Sequence, residues 1–141
     1  MGLADLHLHT TESDGRLSVT ELIDVVASSG AKVFSITDHD TTNGLDKAFD
    51  YLERYPELKL VPGIELSADI ENDEIHMLGY FIDYHQIAFQ DKLSGFRDGR
   101  KIRAKMMIEK LSRLGMHITW DRVQEIAGEG TVGRPHIALA L

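Results

Sequence analysis

Short apolar runs alternate with helical stretches over the first 66 residues, and that alternation restricts the fold more than any other feature of the chain. Residues 3–8 form a brief apolar run leading into a polar loop over 10–16. Ser18-Val19-Thr20-Glu21 is a capping box, Leu22, Ile23 and Val26 make a helical stripe, and Gly30 ends it. Residues 32–37 predict the next strand, 45–54 a second helix closed by Tyr55-Pro56, and 58–66 a third strand. Strand, helix, strand, helix, strand implies right-handed crossovers and parallel pairing, hence an α/β fold.

The pattern then changes. Ile64, Leu66, Ala68 and Ile70 alternate with polar residues, and residues 75–82 predict another strand after Glu71-Asn72-Asp73, which together read as an antiparallel hairpin. A long helix is expected over 90–114, closed by Gly115, with Arg97, Arg100, Lys101, Arg103 and Lys105 near its middle. Thr119 can cap a short helix to Ala127, residues 128–133 form a glycine-containing loop, and Pro135 suits the first turn of a last helix. Three parallel strands and a hairpin do not close a barrel, and the final residues, His136-Ile137-Ala138-Leu139-Ala140-Leu141, are an apolar helix. The expectation is a fragment of a larger domain, or a chain completed by another copy, with self-association through its open edges and apolar tail.

Composition narrows the chemistry. With no cysteine, disulfides, a thiolate nucleophile and cysteine-ligated zinc or iron–sulfur sites are excluded. No apolar run approaches a membrane span and the first residues lack a signal-peptide pattern, so a cytoplasmic location is expected. The net charge of −8 is unevenly spread: residues 1–74 carry 5 basic and 16 acidic side chains, residues 75–141 carry 10 and 7. An acidic half beside a basic half can hold cations and a phosphate ester together, although solvated helix faces give the same asymmetry.

The ionisable residues fall at strand ends. His7 and His9 are two apart on a strand and so project to one side of the sheet, with Asp14 in the following loop. The second strand ends in Thr37-Asp38-His39-Asp40, the third in Gly63-Ile64-Glu65, and His76 sits in the fourth. In parallel α/β proteins ligands gather at the C-terminal ends of strands. Imidazoles and carboxylates without sulfur suit zinc, manganese or iron in a hydrolytic cluster, and a carboxylate such as Glu65 can bridge two ions. Against this stand plainer roles: hydrogen-bonded histidines in the sheet, Asp14 as a turn cap, and Asp38 or Asp40 as helix caps. His85 and His117 have no such company and read as surface residues.

Two basic features point to an anion. Arg97, Lys101 and Lys105, four apart, share a helix face, which fits either a phosphate or a solvated surface. Gly133-Arg134-Pro135-His136 joins a flexible approach, a bidentate donor and a helix N-terminus, a suitable phosphate cradle.

Taken together, Asp5-Leu6-His7-Leu8-His9-Thr10, Ser13-Asp14-Gly15, Thr37-Asp38-His39-Asp40, Pro62-Gly63-Ile64-Glu65 and His76-Met77-Leu78-Gly79-Tyr80 resemble the PHP (polymerase and histidinol phosphatase) family. Thr41-Thr42-Asn43-Gly44, the helix bearing Arg103, Lys105 and Met106, and Gly133-Arg134-Pro135-His136-Ile137-Ala138 are most similar to its stand-alone nucleotide phosphatase and 5′→3′ exoribonuclease branch. The resemblance implies the N-terminal part of a distorted (β/α)7 barrel over residues 1–86, with a helical insertion over 87–141 that binds substrate phosphate. It implies up to three divalent ions: one on His7, His9 and Glu65, a second on Glu65 and His76, a third on Asp14 and His39. In the family each ion takes a further ligand from a later half, two histidines and an aspartate in all.

The resemblance implies hydrolysis of phosphate esters of nucleotides or short single-stranded oligonucleotides through a metal-bound hydroxide. His39, Glu65 and Arg134 are the expected catalytic residues, and Arg134, His136 and Arg103 the expected phosphate ligands. No membrane partner is expected. The alternatives are a non-catalytic metal- or nucleotide-binding fragment, and an exonuclease module associated with a DNA polymerase.

Overall fold

The computed structural model describes residues 4–70 and 73–141. Four strands and five helices follow one another as β1 (Ala4–Leu8), α1 (Val19–Ser29), β2 (Val33–Ile36), α2 (Gly44–Leu52), β3 (Lys59–Ile70), β4 (Asp73–Tyr80), α3 (Ile87–Arg113), α4 (Trp120–Ala127) and α5 (Arg134–Ala140). The strands form one sheet in the order β1-β2-β3-β4. β1, β2 and the start of β3 are parallel, and β3 and β4 are antiparallel. This is the mixed α/β fold the strand–helix alternation demands.

β3 performs two tasks that the sequence reading divided between a strand over 58–66 and an alternating stretch beyond it. Residues 59–62 pair with β2, and residues 63–70 pair with β4. At Gly63 a Cβ would lie 2.2 Å from Ser35 Oγ and 2.9 Å from Thr37 Cγ2, so glycine lets β3 lie that close to β2. β3 keeps to that side as far as the His39–Glu65 bridge, while β4 pairs along its other edge. Of the expected hairpin turn, Glu71 and Asn72 lie outside the described residues.

The helix boundaries follow local chemistry. At α1 the Ser18 hydroxyl accepts from the Glu21 N–H (3.4 Å), the Glu21 carboxylate accepts from the Ser18 N–H (2.8 Å), and Gly30 ends the helix with φ 85°. The buried stripe is Val19, Leu22, Ile23 and Val26. α3 begins at Ile87 rather than 90; its cap, Gln86, lends no side-chain hydrogen bond and so leaves no mark in the sequence. Its first turn is tied to the fold by the Gln90 amide, which donates to Thr42 Oγ1 (2.8 Å) and to Tyr84 O (2.5 Å).

Two apolar clusters form. One joins Ile23, Phe34, Ile36 and Leu45 between the sheet and α1–α2; the other joins Ala104, Val123, Ala127, Val132 and Ile137 among α3–α5. Between them the loop after β1 touches the loop before α5: Thr131 N–H donates to Glu12 O (2.8 Å), and a Cβ on Gly130 would fall 2.4 Å from Thr11 O. That contact brings Gly133 to Asp14, whose Oδ2 lies 3.8 Å from where a Cβ on Gly133 would stand. Among the described residues no helix is long and apolar enough to cross a membrane.

Candidate metal centre

The parallel strands carry their polar C-terminal ends to one edge of the sheet, and there the expected ligands converge. Glu65 is 2% exposed. Its Oε2 accepts from His7 Nε2 (2.8 Å) and lies 3.0 Å from His9 Nε2; its Oε1 lies 2.6 Å from His76 Nδ1. His39 Nδ1 stands 3.7 Å from Glu65 Oε2, and Asp14 lies 3.4 Å from His9 and 3.6 Å from His39. Successive rings from His7 through His9 and His39 to His76 have centroids 5.1, 4.8 and 4.9 Å apart.

Three overlapping triads result: His7, His9 and Glu65; His9, Asp14 and His39; His39, Glu65 and His76. Within each triad the candidate ligand atoms lie within 4.8 Å of one another. His9, His39 and Glu65 each belong to two triads, so the six residues form one cluster. The backbone enforces this closeness, since Asp40 N–H donates to Glu65 O (3.0 Å) and Glu65 N–H to Asp38 O (3.3 Å).

The donor set suits borderline divalent ions on two grounds. Its chemistry is imidazole and carboxylate only, packed closely enough for shared ligands. His39 Nδ1 is buried and has no hydrogen-bond partner among the described residues, although an unmade hydrogen bond in the interior is costly. An ion held beside Glu65 would satisfy it.

Electrostatics match that use. Burial, then the nearby Arg100 guanidinium, push His39 down to about 4, so its imidazole is neutral at neutral pH, the form that can hold a metal. Burial works to raise the Glu65 carboxyl, but the His7 hydrogen bond and the charges of His39, His9 and His7 hold it below the usual carboxylate range.

Beneath the ligands lies a support. Asp38 is buried and accepts from Thr10 N–H (2.7 Å), Thr10 Oγ1 (2.6 Å) and Ser13 Oγ (2.5 Å). Ser13 in turn reaches His9 Nδ1 (3.4 Å) and Asp14 Oδ1 (3.5 Å). Desolvation raises the Asp38 carboxyl against these hydrogen bonds. Gly15 completes the loop, for a Cβ there would sit 2.3 Å from His9 O.

A cavity of about 330 Å³ opens on the cluster. Asp14, His39 and His76 line it, as do Arg100, Arg103 and Arg134. Of the expected phosphate ligands, Arg103 and Arg134 line this cavity. His136 does not: it is buried, its Nδ1 accepts from Gly133 N–H (2.9 Å), and it also bonds the Ser13 backbone. Burial lowers its pKa. It fastens the start of α5 to the ligand loop.

The basic line on α3 is likewise dispersed. Arg97 donates to Asp40 O (3.2 Å), Lys101 pairs with Asp98 (3.3 Å), and Lys105 lies 5.0 Å over the Trp120 ring. His85 and His117 are exposed, as expected.

Arg100 is the residue that sequence reasoning missed. It is 9% exposed, bonded to the Asp40 carboxylate and to Ser67 Oγ (2.5 Å). Asp40 has φ 52°, a conformation that Asp tolerates better than most residues. The sequence did hold a signal: Arg100 stands in the stripe with Leu93, Ala104, Met107 and Leu111, where a charge must be buried and hence partnered.

Comparison with known proteins agrees. The family model for the PHP domain matches residues 5–130. The chain is 36% identical over 135 residues to the 5′-3′ exoribonuclease Rnm of Salmonella typhimurium, covering 95% of this chain and 46% of that protein. It is 34% identical over 121 residues to the 3′,5′-nucleoside bisphosphate phosphatase of Chromobacterium violaceum, covering 86% and 42% respectively. A solved structure from Bifidobacterium adolescentis, provisionally classed as a metal-dependent phosphoesterase, superposes with a TM-score of 0.88 at 36% identity, covering 98% of this chain and 49% of its own. The chain thus spans about half the length of these relatives. Its ligand cluster at the ends of parallel strands, the curled half-barrel sheet that carries it and the match across most of its length have one explanation: the chain belongs to the PHP domain family.

Proposed function

We propose that the chain is part of a metal-dependent phosphoesterase acting on nucleotides or short single-stranded oligonucleotides. The observation that carries this reading is the shared cavity, lined by Asp14, His39 and His76 of the histidine–carboxylate cluster and by three arginines. A phosphoester needs cations for its non-bridging oxygens and an activated water for attack, and the two sets of residues supply complementary parts. The names of the Salmonella and Chromobacterium relatives point to the same substrate class.

In this reading His7, His9, Asp14, His39, Glu65 and His76 hold divalent manganese, zinc or iron, with residues 1–86 as barrel and 87–141 as phosphate-binding insertion. When bound, such ions supply Lewis acidity and lower the pKa of water. The protein's own residues do the rest. Arg134 and Arg103 face the phosphate, Arg100 is held in place by Asp40 and Ser67, and Glu65 and His39 fix the spacing of the cluster.

The test is phosphate release from adenosine 3′,5′-bisphosphate by the 141-residue chain in the presence of manganese. Turnover that Glu65→Gln abolishes supports the reading. Metal and nucleotide binding without any release identifies a binding module instead.

A further inference from the structure

β1 does not pair evenly with β2. Asp5 stands opposite Phe34 and Leu8 opposite Ile36, so Leu6 and His7 together stand against Ser35 alone. An extra residue of this kind bends a strand and re-aims the side chains it carries, and such bulges recur beside active sites. Here the bulge carries His7, whose side chain is 51% exposed and meets Glu65 Oε2 at 2.8 Å. The Ser35 side chain lends it no hydrogen bond, since Ser35 Oγ is buried without a partner among the described residues.

A brace comes from the other end of the sheet. The Tyr80 hydroxyl, on β4, donates to Leu6 O (2.8 Å) across the whole strand order β1-β2-β3-β4. Neighbouring strands stand about 4.8 Å apart, so only a curled sheet brings its two edges within reach of one side chain. The register favours the reach: Tyr80 pairs with Gly63, which has no side chain to obstruct a ring laid across the sheet. Alternation along β4 points Tyr80 to the same face as His76, whose Nδ1 lies 2.6 Å from Glu65 Oε1. One hydroxyl thus ties the strand of His76 to the backbone beside His7, and Glu65 offers an oxygen to each ring.

We infer that Tyr80 is a positioning residue of the metal centre: its hydroxyl fixes the bulge at Leu6, and with it the place of the His7 ring relative to Glu65 and His76. The inference rests on the metal-site reading of the cluster. An exposed imidazole on an unbraced bulge loses conformational freedom when it binds an ion, and that loss weakens binding. A brace present before the ion arrives removes the loss from the binding step. Tyr80 belongs to none of the candidate ligand triads, so it acts through His7.

Cobalt(II) titration of the 141-residue chain is the test, because visible absorption reports both the affinity and the ligand geometry of the ion. Tyr80→Phe removes only the hydroxyl. It should weaken cobalt binding by about tenfold, the lower end for disturbing an outer partner of a metal ligand, and shift the absorption band. In a His7→Ala chain the same change should have no further effect on either. Tyr84→Phe, which removes a hydroxyl bonded to Asp46 (3.1 Å) outside the ligand triads, should leave both unchanged. A hydroxyl that only stabilises the fold would lower the urea midpoint and leave affinity and band as they are. That result, an equal shift from Tyr84→Phe, or an equal loss with and without His7 overturns the assignment. A folded, unaltered chain that binds no cobalt overturns the metal-site reading, and the inference with it.

Discussion

Glu65 is almost wholly buried, and its Oε2 alone lies within 3.7 Å of the His7, His9 and His39 imidazoles, more than the roughly two lone pairs of one carboxylate oxygen can serve. Ions between carboxylate and rings would resolve that crowding. Glu65→Gln keeps the volume and removes the charge, so manganese affinity should fall by at least about 10–100-fold, the range for disturbing even an outer partner of a metal ligand; equilibrium dialysis measures it. Asp38→Ala acts one layer below. It strands the Thr10 and Ser13 donors and should cost about 2–4 kcal/mol in urea denaturation. His7, His9, Glu65 and His76 were legible because alternation on a strand and position at a strand end are local properties. Asp38 was not, and of Arg100 only its place in the apolar stripe of α3 was. Their roles depend on partners 25 to 60 residues away, which no local pattern specifies.

Among the elements, β3 and α3 decide whether the site exists. β3 begins pairing with β4 at Gly63, two residues before Glu65, and Gly63→Ala would drive a methyl into Ser35 and Thr37. Its expected cost is about 1–3 kcal/mol, as for overpacking elsewhere, with weaker metal binding because Glu65 shifts. α3 is held to the loop after β2 by the buried Asp40–Arg100 pair. Arg100→Ala leaves the Asp40 carboxylate without that partner and should destabilise by about 3–5 kcal/mol, read from the urea midpoint. The capping box of α1, its Gly30 stop and the Thr119 cap of α4 were plain in the sequence because each is a short-range hydrogen-bonding signal. The start of α3 and the continuity of β3 were not, because tertiary contacts set them.

For the molecule as a whole, two apolar clusters flank a polar seam where the ligand loop meets the loop before α5. That seam is sensitive to acid. The folded chain holds His39 at about 4 against 6.5 when free, and burial also lowers His136. Below pH 6.5 the unfolded chain takes up protons that the folded chain refuses, so metal-free stability present above pH 6.5 is lost as the pH falls toward 4. Urea midpoints should decline across that window; a flat or rising profile contradicts the neutral, buried state of these rings. The α/β class and the ligand-bearing ends of the strands could be read without the structure, while the single cavity that unites them with Arg100, Arg103 and Arg134 could not.

The central claim is that these histidines and carboxylates form a working metal site. Elemental analysis of the chain, purified without chelator and dialysed against metal-free buffer, tests it most directly. The account predicts bound manganese, iron or zinc that Glu65→Gln releases. Metal no higher than in the buffer blank, in a chain shown by circular dichroism to be folded, would contradict it.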